Sequence, residues 1–186
     1  VILVEQTTPV PNPTREVTKI YSPGTYIEEV KNIDANYIVS VVITEESCYK
    51  TGAAQYIVGL ASIDLTTGKN TLHELYSKKN NEHMVFEEIY RFIESFSPRE
   101  ILIYLYRTSL TKDKVLEHIN IDDRKYHYMD DKENKIDPNL LKISYQNEFL
   151  NRVFGIISIL DPIEYLNLEK MMVATVSYIK LLQFAY

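Results

Sequence analysis

The chain is poor in the residues that metal centres, disulfide frameworks and phosphate cradles require. Cys48 is its only cysteine, which excludes a disulfide framework and a thiolate zinc site and fits a reducing, intracellular compartment. His73, His83, His118 and His127 show no paired ligand spacing, so surface or packing roles are expected of them rather than metal binding. Positive charge is scarce: 20 Lys and Arg against 26 Asp and Glu leave a formal net charge of -6. That is the wrong sign for a surface whose main work is neutralising phosphates, so nucleic-acid contact is local or lies outside these residues. No apolar run reaches membrane-spanning length and the first residues lack a signal-type pattern; a soluble, intracellular protein without a membrane role is expected, in the cytoplasm or at DNA. Thr67-Gly68-Lys69 ends like a phosphate-binding loop, but the upstream glycine is missing and Asn70 stands at the hydroxyl position, which removes the nucleotide site.

What is present is organised around residues 55–70, QYIVGLASIDLTTGKN. Val58 and Leu60 alternate with Ile57, Ile63 and Leu65, so both faces of this strand are apolar and both are expected to be covered. Gly59 and Ala61 share one face, where only small residues admit a closely approaching element, and a helix is expected to cross there. Gly68 supplies a positive φ for the turn over Thr66-Thr67-Gly68-Lys69, and Asp64 is placed to bond the turn amides. Residues 71–76 run back as the next strand.

Val1 to Gln6 reads as a short strand, and the three prolines between Pro9 and Pro13 enforce an extended linker. Arg15 to Tyr21 is a second strand, ended by Ser22-Pro23-Gly24-Thr25. Asn36 to Ile43 places Tyr37, Val39, Val41 and Ile43 on one face, Ile38 and Val42 on the other, as a central strand requires. Residues 44–54 read as a polar connection. Val85, Ile89, Phe92, Ile93 and Phe96 recur at helical spacing, Glu87 and Arg91 pair outside, and Pro98 stops the helix. Residues 101–106 form a covered strand, Thr111 is the expected cap of a short helix to Ile119, and Lys125 to Met129 is a peripheral strand. The run from Asp130 to Lys135 is a solvated loop. Asp137-Pro138 opens a helix to Gly155, buried through Leu141, Phe149, Leu150, Val153 and Phe154, and Asp161-Pro162 opens the final helical segment. Residues 171–186, almost wholly apolar, need protein on every side. This order predicts an α/β fold of ribonuclease H type, a mixed sheet of order 3-2-1-4-5 with flanking helices, an N-terminal ribbon and a C-terminal helix. The opening in mid-strand and the close inside an apolar helix are read as the cut ends of a longer protein.

Three separated segments resemble one family. Arg15-Glu16-Val17-Thr18-Lys19-Ile20 with Ser22-Pro23-Gly24-Thr25 resembles the strand and turn that close the mismatch-binding domain of MutS proteins. Gly59 to Gly68, with Asp64, Thr67 and Gly68, is similar to the signature of the MutS connector domain, and Ala174 to Tyr186 resembles the helix entering the lever domain. The resemblance implies residues 1–25 as the end of the mismatch-binding domain, 26–160 as a ribonuclease H-like connector without nuclease function, and 161–186 as the start of the lever. It implies a dimeric parent ATPase that holds mismatched DNA, with ATP and Mg bound elsewhere, and no catalytic residue, cofactor or metal in this segment. In bacterial relatives the connector also helps dock MutL, so a MutL-like factor is an implied partner. Arg15 and Lys19 are the candidates for contact with DNA backbone. The Pro-rich segment and residues 44–54 depart from the family pattern.

The sharp alternative is an active nuclease, whose two Mg²⁺ about 3.5–4 Å apart need carboxylates on the central strand, first helix and fourth strand. The central strand offers Ser40 and Val41 there, and residues 101–106 contain no acid. Glu87, Glu88 and Glu94 then read as a solvated helix face. Phe86-Glu87-Glu88 and Phe92-Ile93-Glu94 spell the family's mismatch wedge, but on an amphipathic helix whose Phe92 faces the core.

Overall fold

A computed structural model describes residues 2–6, 14–20 (backbone only at 18 and 19), 35–47, 54–78, 83–121, 125–130 and 137–186. The Pro9 to Pro13 linker, the turn of Pro23, Gly24 and Thr25, and residues 48–53 and 131–136 lie outside them.

Strands β1 (Ile2–Gln6) and β2 (Arg15–Ile20) form an antiparallel ribbon, with Ile2 opposite Ile20 and Gln6 opposite Arg15. Its described side chains are exposed, Ile2, Val4, Val17 and Ile20 among them.

The other strands, β3 (Tyr37–Ser47), β4 (Ala54–Asp64), β5 (Asn70–Tyr76), β6 (Glu100–Tyr106) and β7 (Lys125–Asp130), make one sheet in the order β5-β4-β3-β6-β7. The β3–β4 and β4–β5 pairs are antiparallel, β3–β6 and β6–β7 parallel. Counted from β3, this is the 3-2-1-4-5 order of a ribonuclease H-like fold. Parallel neighbours need crossovers, and α1 (His83–Phe96) and α2 (Lys112–Ile119) supply them.

The period-two pattern divides the core as the sequence implies. Val39, Val41, Ile43, Val58, Leu60 and Ile103 meet Val85, Ile89 and Ile93 of α1 and Val115 and Ile119 of α2. Ile38, Val42, Ala61, Ile63 and Leu102 face the opposite layer, built from α3 (Ile143–Phe154), a single turn α4 (Pro162–Tyr165) and α5 (Met172–Ala185). Helix α5 is buried from Ala174 through Ile179 because it runs across β4, β3 and β5 with α3 beside it. Among the described residues no helix is long and apolar enough to cross a membrane.

Four expectations need correction. Residues 44–47 are not connection but the end of β3, because Thr44 to Ser47 continue the register against Ile57 to Ala54. The helix from Pro138 to Gly155 is two elements: a 3-10 turn (Pro138–Leu141) and α3, separated by Lys142 in extended conformation (φ -85°, ψ 123°). That break turns Leu141 to solvent, and Phe154 at the far end of α3 is likewise exposed. Gln146 bridges the break instead, donating from Nε2 to the Leu140 carbonyl at 2.7 Å. Finally, Thr111 and Asp161 stand at N-cap positions but make no side-chain cap bond, whereas Asp137 accepts from the Asn139 amide at 2.9 Å.

Candidate functional site

The centre of the sheet, where the nuclease alternative would need a carboxylate on the central strand, is covered on one face by α5. Ser40 on β3 is fully buried. Ser177 of α5 sits on it, with Oγ 2.9 Å from the Ser40 carbonyl oxygen and 3.0 Å from Ser40 Oγ. Beside this pair Gly59 lies directly beneath the helix backbone: an added Cβ would meet Val173 C and O at 2.3 Å and Ala174 N at 2.4 Å. The first turn of α5 has no side-chain bond from its own N-cap, Met171. Glu74, about a hundred residues earlier on β5, provides it instead. Its Oε2 accepts from the amides of Val173 (2.8 Å) and Ala174 (2.9 Å), satisfying donors that a helix start leaves open and placing negative charge where the helix dipole favours it.

The acids of α1 lie on the other side of the sheet. Glu87 and Glu88 are 3.8 Å and 2.6 Å from the Arg91 guanidinium on the outer face, and Glu94 is exposed. Strand β6 does carry an acid, one residue before the run read from the sequence. Glu100 is fully buried at the opening of β6, 3.1 Å from His127 Nε2 and 3.7 Å from Lys125 Nζ. Its signal was position alone, a glutamate leading directly into a covered strand. Among the described residues no group of three or more His, Cys, Asp or Glu is arranged to hold a metal. Phe86 is buried and the Phe92 ring packs 4.9 Å from Phe96, so the phenylalanine of each Phe-x-Glu sequence faces the core.

Asp64 is buried where β4 ends. Its Oδ1 accepts from the amides of Asn36 (2.9 Å) and Thr66 (3.0 Å), and its Oδ2 from Thr67 Oγ1 (2.6 Å). Gly68 completes the turn at φ 73°. Burial pushes the carboxyl pKa up, but the bonds from Thr67, Asn36 and Thr66 together outweigh it and hold Asp64 below the usual aspartate range. Arg15 is exposed at one end of β2; Lys19 stands opposite Leu3 near the other end, its side chain outside the described residues. His83 and His118 stack at 5.3 Å between ring centroids, His127 meets Glu100, and His73 is exposed on β5.

Two surface features were not legible in the sequence. A cleft of about 530 Å³ opens at the C-terminal ends of β3 and β6, floored by Val42, Ile57 and Tyr104 and walled by Val173 and Val176 of α5. Between α3 and α4, Ile157 and Ile159 are fully exposed, with Phe154, Leu160 and Tyr165 partly exposed around them.

No protein-family model matches the chain. A putative DNA mismatch repair protein, a mutS homolog of Acanthamoeba polyphaga mimivirus, is 30% identical over 203 residues that take in 99% of the chain. The chain spans 18% of that relative's length. Among solved structures, RuvC of Thermus thermophilus is 11% identical with a TM-score of 0.35, over 78% of this chain and 97% of that one. The fowlpox virus Holliday junction resolvase is 15% identical with a TM-score of 0.36, over 80% and 97%. In sequence the chain is thus similar to a MutS homolog along nearly its whole length, and its sheet has the ribonuclease H-like order.

Proposed function

We propose that this chain is a non-catalytic connector module of a MutS-type DNA mismatch-repair ATPase, mechanically coupling mismatch-binding, lever and ATPase parts of a longer, dimeric parent. The observation that carries this reading is the seat of α5. Ser177 on Ser40, Val173 on Gly59 and Glu74 on the helix start fill the sheet centre with packed helix. A helix clamped in this way moves with the sheet as one body, which is what transmission of motion between neighbours requires. The similarity to a mutS homolog over 99% of the chain supports the family assignment, and the 18% share of that relative supports a module of something larger. In this reading residues 1–25, 26–160 and 161–186 belong to successive domains, Arg15 and Lys19 approach DNA backbone, and ATP and Mg are bound elsewhere in the parent.

The exposed isoleucine loop favours a second role for the same module, docking a MutL-like repair factor, since several large apolar side chains left exposed within one short segment mark an interaction site. The test is made in the longer protein. Gly59→Ala, whose added methyl would meet the Val173 backbone at 2.3 Å, displaces the helix from its seat and is expected to weaken mismatch-stimulated nucleotide exchange; unchanged exchange would sink the coupling role. Magnesium-dependent cleavage of duplex or junction DNA by the 186-residue chain, abolished by Glu100→Gln, would replace the connector reading with a nuclease.

A further inference from the structure

We propose that the cleft at the C-terminal ends of β3 and β6 binds a small amphipathic anion, an apolar or aromatic body bearing one carboxylate or phosphate, with Lys180 as its charge partner. This goes beyond the connector reading and does not depend on it.

The position is the one that α/β sheets use for ligands, outside the carboxyl ends of parallel strands. The volume, about 530 Å³, falls within the range of small-molecule sites, and so does the character of an apolar floor with few polar groups. Val42, Ile57, Val173 and Val176 offer aliphatic surface, and Tyr104 and Tyr106 offer rings.

The glutamates of the cleft stay charged, and what distinguishes them from Lys180 is where their oxygens are held. Four glutamates line it. Glu74 is held by the α5 amides and the Tyr76 hydroxyl, and Glu45 Oε2 accepts from Ser109 N and Oγ, both at 2.7 Å. Glu46 and Glu169 are exposed at the rim, where solvent and salt screen them.

Lys180 is different. It is half-buried on α5 with Nζ 5.5 Å from the centre of the Tyr104 ring, and no carboxylate among the described residues forms an ion pair with it. Burial pushes its pKa down, against a weaker upward pull from Asp137. A half-buried ammonium that makes no direct ion pair gains from a bound anion more than a surface lysine does, because the interaction is less screened. The Arg107 guanidinium, over the Tyr106 ring at 5.0 Å, and Lys170 add positive charge at the mouth.

The probe is 1-anilinonaphthalene-8-sulfonate, a flat aromatic anion, titrated by fluorescence into the 186-residue chain, with neutral N-phenyl-1-naphthylamine as the same body without charge. One saturable site is expected, weakened about tenfold for the anion by Lys180→Met and left unchanged for the neutral probe. Lys180→Arg is expected to restore it. Methyl NMR on the unaltered chain locates the site without any variant: Val42, Val173 and Val176 shift while Ile157 and Ile159 do not. Displacement by adenosine monophosphate or by N-acetylphenylalanine supports the proposal and distinguishes a phosphate from a carboxylate source. Equal anion affinity in Lys180→Met, shifts centred on Ile157 and Ile159, or displacement by neither competitor overturns it.

Discussion

Val173 lies so close over Gly59 that a methyl group there would stand 2.3 Å from the Val173 carbonyl carbon. The obstacle is helix backbone, which cannot rotate away as a side-chain tip can. Gly59→Ala should therefore destabilise the fold by about 3 kcal/mol, the upper part of the overpacking range. An unobstructed strand position would instead gain about 0.5–1 kcal/mol from the same change, so the sign alone is diagnostic in urea unfolding. Ser177→Ala leaves Ser40 Oγ buried without this partner and should cost about 1 kcal/mol.

Glu74 makes a second prediction because one carboxylate has two distinct partners. Its Oε2 holds the α5 amides, and the other oxygen accepts from the Tyr76 hydroxyl. Glu74→Ala should cost about 1–2 kcal/mol, the size of a lost N-cap. The loss should show locally as faster hydrogen exchange at the Val173 and Ala174 amides. Exchange unchanged at those amides would mean that the cap contributes nothing to the helix start.

Tyrosine titration extends the argument to high pH. Tyr76 is pushed up to about 12, first by its bond to Glu74, whereas Tyr104 and Tyr178 reach about 12 chiefly through burial. For groups raised in the folded state the stabilisation is present below the unfolded value of 10.0 and is lost as pH rises through about 12. Absorbance at alkaline pH should show a late phase among the 15 tyrosines. Glu74→Gln should move only Tyr76 out of that phase.

The sheet was legible because each central strand is apolar on both faces, so Ile38 and Val42 could be assigned opposite Val39 and Val41 without a structure. Gly59 and Ala61 announced the crossing helix by their size. Local spacing has no means of reporting contacts made across the chain. The cap from Glu74 spans about a hundred residues, and Glu100 finds Lys125 and His127 only after β7 pairs with β6. The extension of β3 through Ser47 was missed for a related reason. Thr44, Glu45, Glu46 and Ser47 are polar, yet their backbone continues the ladder to Ala54. The cleft lies among these unread contacts, since Glu45, Tyr76, Arg107 and Lys180 come from four different elements or connections.

Asp64 supplies a prediction on the acid side. Its pKa is held below the unfolded value of 3.8, so its contribution is present above that pH and is lost as pH falls through the lower folded value. Asp64→Asn keeps an oxygen for the Asn36 and Thr66 amides but removes the charge that Thr67 bonds. A loss of about 1–2 kcal/mol at neutral pH is expected, shrinking below about pH 3.8 as the aspartate in the unaltered chain becomes protonated. Asp64→Ala leaves the buried amide of Asn36 without this acceptor and should cost more than Asp64→Asn at every pH. A stability curve for Asp64→Asn that runs parallel to that of the unaltered chain between about pH 2 and 7 would remove the carboxylate's charge from the account of this turn.

The exposed loop between α3 and α4 makes the last prediction. Ile157 and Ile159 are fully exposed, so their side chains gain nothing from burial, and a double change to Ser should alter stability by no more than about 0.5 kcal/mol. If the loop docks a MutL-like factor, the same double change in the proposed parent should abolish retention of that factor while leaving mismatch-stimulated nucleotide exchange intact. Gly59→Ala should do the reverse, because it disturbs the helix seat and leaves the loop untouched. The two variants together separate docking from coupling. Retention of the factor by the isoleucine variant at full strength would remove this loop as the docking surface.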